Sequence, residues 1–275
     1  MPRLRRWSML APMLVALLPG ALAAQSARGV LERMVAEHDR RAEGIDNYTL
    51  VQEVMGQTLT MYYEKDASGA HPVFRAREVS GIGASAQEPA GGNEDEFWEK
   101  LPRLMEHARS GGRETVDGHA TEAVIIDDLA ETGFGESFAP GNGDFTPQRA
   151  TLYVDPELWI PRRMVFAGTM KAQGRTSDIT ITMDAQDIRD VDGLLQPFHT
   201  LVRIDGLGQT IDPETRQQYE QMKKQLADMP ESQRQMVEKM MKGKLEQMEQ
   251  MMNGDGGMNL ELVVREVHVN AGPPQ

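Results

Sequence analysis

A strict two-residue alternation of apolar and polar side chains across the C-terminal half constrains this chain most. Ile179, Ile181, Met183 and Ala185 alternate with Asp178, Thr180, Thr182 and Asp184, and Met164, Phe166 and Met170 share a face of the preceding stretch. Phe198, Thr200, Val202 and Ile204 repeat the pattern, and Leu260 to Val269 supplies a last strand. A period of two sends successive side chains to opposite faces of a strand. Segments of this kind pair as antiparallel sheet with one apolar and one polar side. Turn signals separate them: Asp155-Pro156-Glu157-Leu158, with proline where φ is preset, and Asp190-Val191-Asp192-Gly193.

The N-terminal half mixes periods. Residues 26–43 place Val30, Leu31, Met34, Val35, His38 and Ala42 at helical spacing, closed by Gly44. A hairpin follows, with Tyr48, Leu50 and Val54 on one arm, Gly56 at the turn, and Leu59, Met61 and Tyr63 on the return. Pro72 to Val79 is a third extended segment, and 80–93 reads as a loop. Glu94 to Ala108 is a second helix with Phe97, Trp98, Leu101, Leu104 and Met105 on one side, stopped by Gly111-Gly112. Glu114 to His119 and Thr121 to Asp127 form a strand pair, and the glycine-rich stretch 130–148 reads as a second loop. Between the last two strands, Asp212 caps a helix with Pro213 in its first turn, Pro230 restarts a second, and Asn253-Gly254 ends it. Residues 212–254 are thus a helical hairpin inserted into a β domain.

The first residues read as a secretory leader. Arg3, Arg5 and Arg6 precede an apolar run from Met9 to Ala24, and Ala21-Leu22-Ala23 places the expected cleavage after Ala23. The run is broken by Pro12, Pro19 and Gly20 and is too short to span a bilayer comfortably. The expected organisation is a leader, 1–23, and one domain, 24–275, exported and periplasmic. A chain of this length buries enough surface to need no staples, and with no cysteine it has no disulfide or thiolate metal site. The leader carries three of the 29 basic residues and none of the 42 acidic ones, so its removal takes the net charge from −13 to −16. That charge excludes nucleic acid as a partner and disfavours broad adhesion to anionic membranes.

No catalytic constellation emerges. His38, His71, His107, His119, His199 and His268 are scattered without zinc-ligand spacing. Ser137 has Ala139 where a nucleophile elbow needs glycine. Gly81-Ile82-Gly83 lacks the setting of a dinucleotide site. Asp184, Asp187, Asp190 and Asp192 lack the spacing of a calcium loop, and aspartate in β-turns is the plainer account. The reading is therefore a protein that is not an enzyme and takes no cofactor or metal. The sharpest feature is the methionine content of the hairpin, where Val237, Met241, Leu245, Met248 and Met252 form one helical stripe. Packing between the helices and the sheet is the plainest account of that stripe. A soft lid over an apolar ligand is the functional one, and thioether copper binding is a third.

The order of elements, together with Thr115-Val116-Asp117-Gly118-His119, Leu152-Tyr153-Val154-Asp155-Pro156 leading to Ile160-Pro161-Arg162-Arg163-Met164, Asp190-Val191-Asp192-Gly193-Leu194-Leu195-Gln196-Pro197 and Val267-His268-Val269-Asn270, resembles the periplasmic lipoprotein carriers and their outer-membrane receptors. The resemblance covers most of the chain outside 212–254. It implies an α+β fold, mostly antiparallel, with an open half-barrel sheet wrapped around helices. It also implies a carrier or binder of a lipid, an acyl chain or a lipidated protein, and the nearly neutral charge of the 212–254 hairpin suits it to transient membrane contact. The carriers' Arg-Pro step has no counterpart in Lys65 to Pro72, and the carriers lack a methionine-rich hairpin. A related fold serves as a periplasmic sensor that binds a membrane-protein partner, and this is the alternative reading. The residues expected to line the apolar site are Met164, Phe166, Ile179, Ile181 and Met183 on the sheet, with Met241 and Met248 on the hairpin.

Overall fold

The computed structural model describes residues 26–81, 94–134, 144–172, 174–209, 211, 213–231 and 257–274. The leader, most of the second hairpin helix, and with it Met241 and Met248, lie outside the described residues. In chain order the elements are helix α1 (Ala27–Ala42), strands β1 (Asn47–Val54), β2 (Gln57–Asp66) and β3 (Val73–Gly81), and helix α2 (Glu94–Glu106). Then come β4 (Ala108–Val116), β5 (His119–Ile126), the short helix α3 (Leu129–Thr132), β6 (Asp144–Val154) and β7 (Pro161–Ala172). β8 (Arg175–Val191), β9 (Leu194–Asp205), helix α4 (Pro213–Asp228) and β10 (Met258–Val269) complete the described chain.

The strands form one antiparallel sheet in the order β3-β2-β1-β10-β9-β8-β7-β6-β5-β4. β3 and β4 are its edges and do not pair with each other, so the sheet stays open. The meander is broken once, where β10 returns to pair with β1, Tyr48 opposite Val269 and Val54 opposite Leu262. The hairpin turns follow the sequence signals. Asp192-Gly193 joins β8 to β9 with φ of 50° and 92°, the left-handed pair of a tight hairpin turn.

α1 crosses the inner face. Ser26 caps it, its Oγ accepting from the Gly29 N–H at 3.1 Å. Val30, Leu31 and Met34 pack in a large core with Leu104 of α2, Leu129 of α3 and the inner residues of β5 to β9. Past its last turn, Ala42 and Ile45 enter a smaller core with Tyr48, Leu50, Met61 and Phe74. One helix therefore ties the two halves of the open sheet together. Alternating strand directions put the turns after β2, β4, β6 and β8 at one end of the sheet. The ends of β3 and β9, and the starts of β6 and β10, lie at the other.

Two expectations are corrected. The second helix stops at Glu106, and Gly111-Gly112 lie inside β4, not at a helix end. A Cβ built on Gly111 would come within 2.9 Å of the Ala123 Cβ and 3.1 Å of the Ile125 Cδ1, so the glycines let two strands approach closely beside a bulge. The stretch 130–148 is also not all loop. α3 opens it, and β6 begins at Asp144, with Phe145 buried. Pro147 sits where the β6–β7 register shifts, a place in a ladder that tolerates a missing N–H.

Candidate functional site

Register turns the period of two into continuous rows. On the inner face Val124, Leu152, Met164, Met183, Val202 and Leu260 stand side by side across β5 to β10. The next row runs from Ala108 through Ile126, Ala150, Phe166, Ile181 and Ile204 to Met258. The outer face carries the polar positions. There the Arg163 Nε donates to the Asp184 carboxylate opposite it, and His199 bridges Gln186 at 2.9 Å and Glu261 at 2.7 Å.

The five sheet residues singled out by sequence therefore share one face, but not one environment. Phe166, Ile179 and Ile181 are 5%, 1% and 2% exposed and belong to the core beneath α1 and Phe134. Phe134 stacks on Phe166 at 6.1 Å and meets Phe97 of α2 edge-on at 6.2 Å. Met164 and Met183 lie in the neighbouring row and keep part of their surface in solvent, as do Leu260 and Leu262 of β10. The accessible apolar surface is thus narrower than the sequence pattern implied.

A second feature was not visible as a site in the sequence. A half-open cavity of about 100 Å³ lies between the last turns of α1, the start of β1 and β3, and the β8–β9 turn. Ile45, Tyr48, Phe74 and Leu194 give it apolar walls, and His38 and Arg41 line it from the helix. Tyr48 stacks on Tyr63 at 4.8 Å and tilts against Phe74 at 5.2 Å. The signal available in the sequence was Arg41 itself. It falls seven residues after Met34 and beside Ala42, on the stripe that α1 buries.

The cavity is held by two clamps on α1. At one side Asp155 organises the β6–β7 turn, accepting from the N–H groups of Glu157 at 2.8 Å and Leu158 at 3.0 Å and from Arg162 Nε at 2.6 Å. Burial pushes the Asp155 carboxyl up, but these donors outweigh it and hold the group below the usual carboxylate range. The turn then offers the Leu158 carbonyl to Arg41 Nη2 at 2.7 Å and the Trp159 ring to the Arg33 guanidinium at 5.7 Å. At the other side His38 Nε2 meets the Pro72 carbonyl at 2.7 Å and the Asp39 Oδ2 meets His71 Nδ1 at 2.9 Å, joining α1 to the β2–β3 turn. Burial pulls His38 below its ordinary value despite the Pro72 bond. The Asp39 Oδ1 is buried without a hydrogen-bond partner.

Among the described residues no three His, Cys, Asp or Glu side chains group as a metal site, and no helix is long and apolar enough to cross a membrane. Asp187 pairs with Arg189, and Asp190 accepts from the Gly193 N–H at 2.8 Å, so these aspartates serve their own turn.

No protein-family profile matches the chain, and no curated protein matches it in sequence. Solved structures similar to it include a putative outer membrane lipoprotein-sorting protein domain from Vibrio parahaemolyticus, at 10% identity and a TM-score of 0.43, covering 90% of this chain and 95% of that one. A DUF1329 family protein from Desulfovibrio piger follows at 11% identity and a TM-score of 0.41, covering 90% and 93%. Lipoprotein LppX of Mycobacterium tuberculosis is similar over 50% of this chain and 86% of its own, at 9% identity and a TM-score of 0.21.

Proposed function

We propose that this chain is a non-catalytic carrier of an apolar ligand in the periplasm, the ligand being a lipid, an acyl chain or a lipidated protein. One observation carries the reading. The inner face of the sheet presents registered apolar rows from β4 to β10, in which Met164, Met183, Leu260 and Leu262 pack against the core and stay partly exposed. Each methylene moved from water onto such a surface contributes about 0.8 kcal/mol, so an acyl chain with ten buried methylenes gains about 8 kcal/mol. Methionine suits the task because its thioether chain adapts to ligands of varied shape. The expected leader supports export, and the resemblance to the lipoprotein carriers supports an envelope role. An envelope protein that hands over or receives the ligand is the expected partner.

Native mass spectrometry of the protein purified from its own periplasm, with lipid extraction, tests this. The same experiment is run on a version with residues 212–254 replaced by a short turn, which reads the contribution of Met241 and Met248. A co-purifying acyl lipid is the expected result. A folded protein that is empty in every preparation contradicts the carrier reading and favours an interaction module of the same fold with a membrane-protein partner.

A further inference from the structure

The carrier reading leaves open which end of an amphiphile the protein recognises. Arginine bookkeeping around α1 addresses this. Arg28 pairs with Glu32, and Arg33 and Arg40 both pair with Glu37. Arg41 differs from these neighbours. It is half-buried, makes a single hydrogen bond to the Leu158 carbonyl, and among the described residues has no carboxylate in salt-bridge reach. Glu37 and Asp190 act on it through their charge without a hydrogen bond, Glu37 being held by its two arginines and Asp190 accepting from the Gly193 N–H. A guanidinium carries five N–H donors. Four therefore remain on a side chain that lines the cavity.

The cavity's chemistry is two-sided. Arg41 and the His38 imidazole line the cavity from the helix, Ile45, Tyr48, Phe74 and Leu194 supply apolar walls, and Gln196 is a further polar lining residue. In a chain of net charge −13, a half-buried cation lining a cavity is an exception to the general field. A volume of about 100 Å³ gives room for a carboxylate and the first methylenes of its stem. Burial disfavours the charged form of Arg41, which an anion in the cavity would relieve.

We infer that the cavity between α1, β1, β3 and the β8–β9 turn is an anion subsite in which Arg41 holds the carboxylate head of an acyl ligand while Tyr48, Phe74 and Leu194 pack on its first methylenes. This rests on the carrier reading and names its ligand class as an anionic amphiphile. A carboxylate pairs with a guanidinium in a two-bond fork, which also fixes its orientation. An alkyl phosphate supplies the same anionic head from a different source.

Calorimetric titration with octanoate, octyl phosphate and 1-octanol, all below their aggregation limits, tests the inference on the purified protein. Octanoate is expected to bind at least about tenfold more tightly than octanol, the factor that a charge-assisted hydrogen bond supplies. R41Q should remove that preference and leave octanol unchanged, and R41K should restore most of it. L194E, which sets a like charge in the cavity, should abolish octanoate binding in a chain that keeps Arg41. A urea unfolding curve on each variant separates loss of the subsite from loss of the fold. Octyl phosphate binding more tightly than octanoate keeps the anionic head and reassigns its source. Equal binding of octanoate and octanol, or a preference that survives R41Q, overturns the inference while the carrier reading stands. If none of the three binds, the inference falls, and the native mass spectrometry of the purified protein decides the carrier reading separately.

Discussion

Arg162 donates to Asp155 at 2.6 Å with the two side chains only 11% and 6% exposed, an ion pair sealed inside the turn that grips α1. The Asp155 carboxylate also accepts two backbone N–H groups, so its charge is fully used. Removing one partner of such a pair strands the other in a dry site, at a cost of about 3–5 kcal/mol. Asp155→Asn should therefore lower the urea midpoint sharply, and adding Arg162→Met should recover part of the loss. A double variant no more stable than the single one would contradict this account of the turn.

Ile181 and Met183 are two residues apart on β8 and face the same way, yet they should behave differently. Ile181 is sealed in the core, and Ile181→Ala should cost about 2–5 kcal/mol through lost burial and a residual cavity. Met183 keeps part of its surface in solvent. Met183→Ala should cost clearly less stability and still weaken acyl-chain binding severalfold. Chemical unfolding and ligand titration on the same two variants check both halves.

Protonation should weaken the fold in two steps. His38 is held below its ordinary value of 6.5 by burial, so the folded state prefers the neutral ring. Its contribution is present in full above 6.5 and is lost as pH falls through the lower folded value. His38→Gln, which keeps a donor for Pro72, should remove this step from a stability–pH curve. The second step belongs to carboxylates held low. Hydrogen bonds from Ser68 and Arg75 hold Asp66 at about 2, and Asp155 and Asp127 are lowered from 3.8. The Asp66 contribution is present above 3.8 and fades as pH falls toward 2, and those of Asp155 and Asp127 are likewise present above 3.8 and lost as pH falls below it. Titration of the Asp66 carboxyl by NMR gives the direct check.

The approach of β4 to β5 at Gly111 leaves no room for a side chain. Gly111→Ala should destabilise the edge pair by about 1–3 kcal/mol, as overpacking does. Hydrogen exchange should show the loss first in β4. Protection unchanged in β4 would mean that the strands separate without cost.

The alternation from Met164 to Ile204 was legible because a residue's face follows from its parity along a strand and register carries that parity from strand to strand. Parity does not say how far a covering helix reaches. For that reason Phe166, Ile179 and Ile181 could not be told from Met164 and Met183 in advance. The first residues of β6, Asp144 to Gln148, were hidden because Pro147 and the neighbouring glycines give the same local signal in a bulged strand as in a loop. Gly111-Gly112 misled similarly, since only the distance to Ala123 distinguishes a strand glycine from a helix stop. Arg41 was readable as a charged residue on a buried stripe. That no carboxylate among the described residues bonds to it became visible only in the structure, where Glu37 is held by Arg33 and Arg40.

Methionine methyl NMR on protein carrying labelled methionine addresses the inner face itself, with Met164→Leu and Met183→Leu assigning the two signals. Titration with dodecanoate should move both methyls together and saturably, while Met55, which is exposed at the β1–β2 turn, stays in place. Saturable binding that leaves Met164 and Met183 unmoved would contradict the placement of the acyl chain on this sheet.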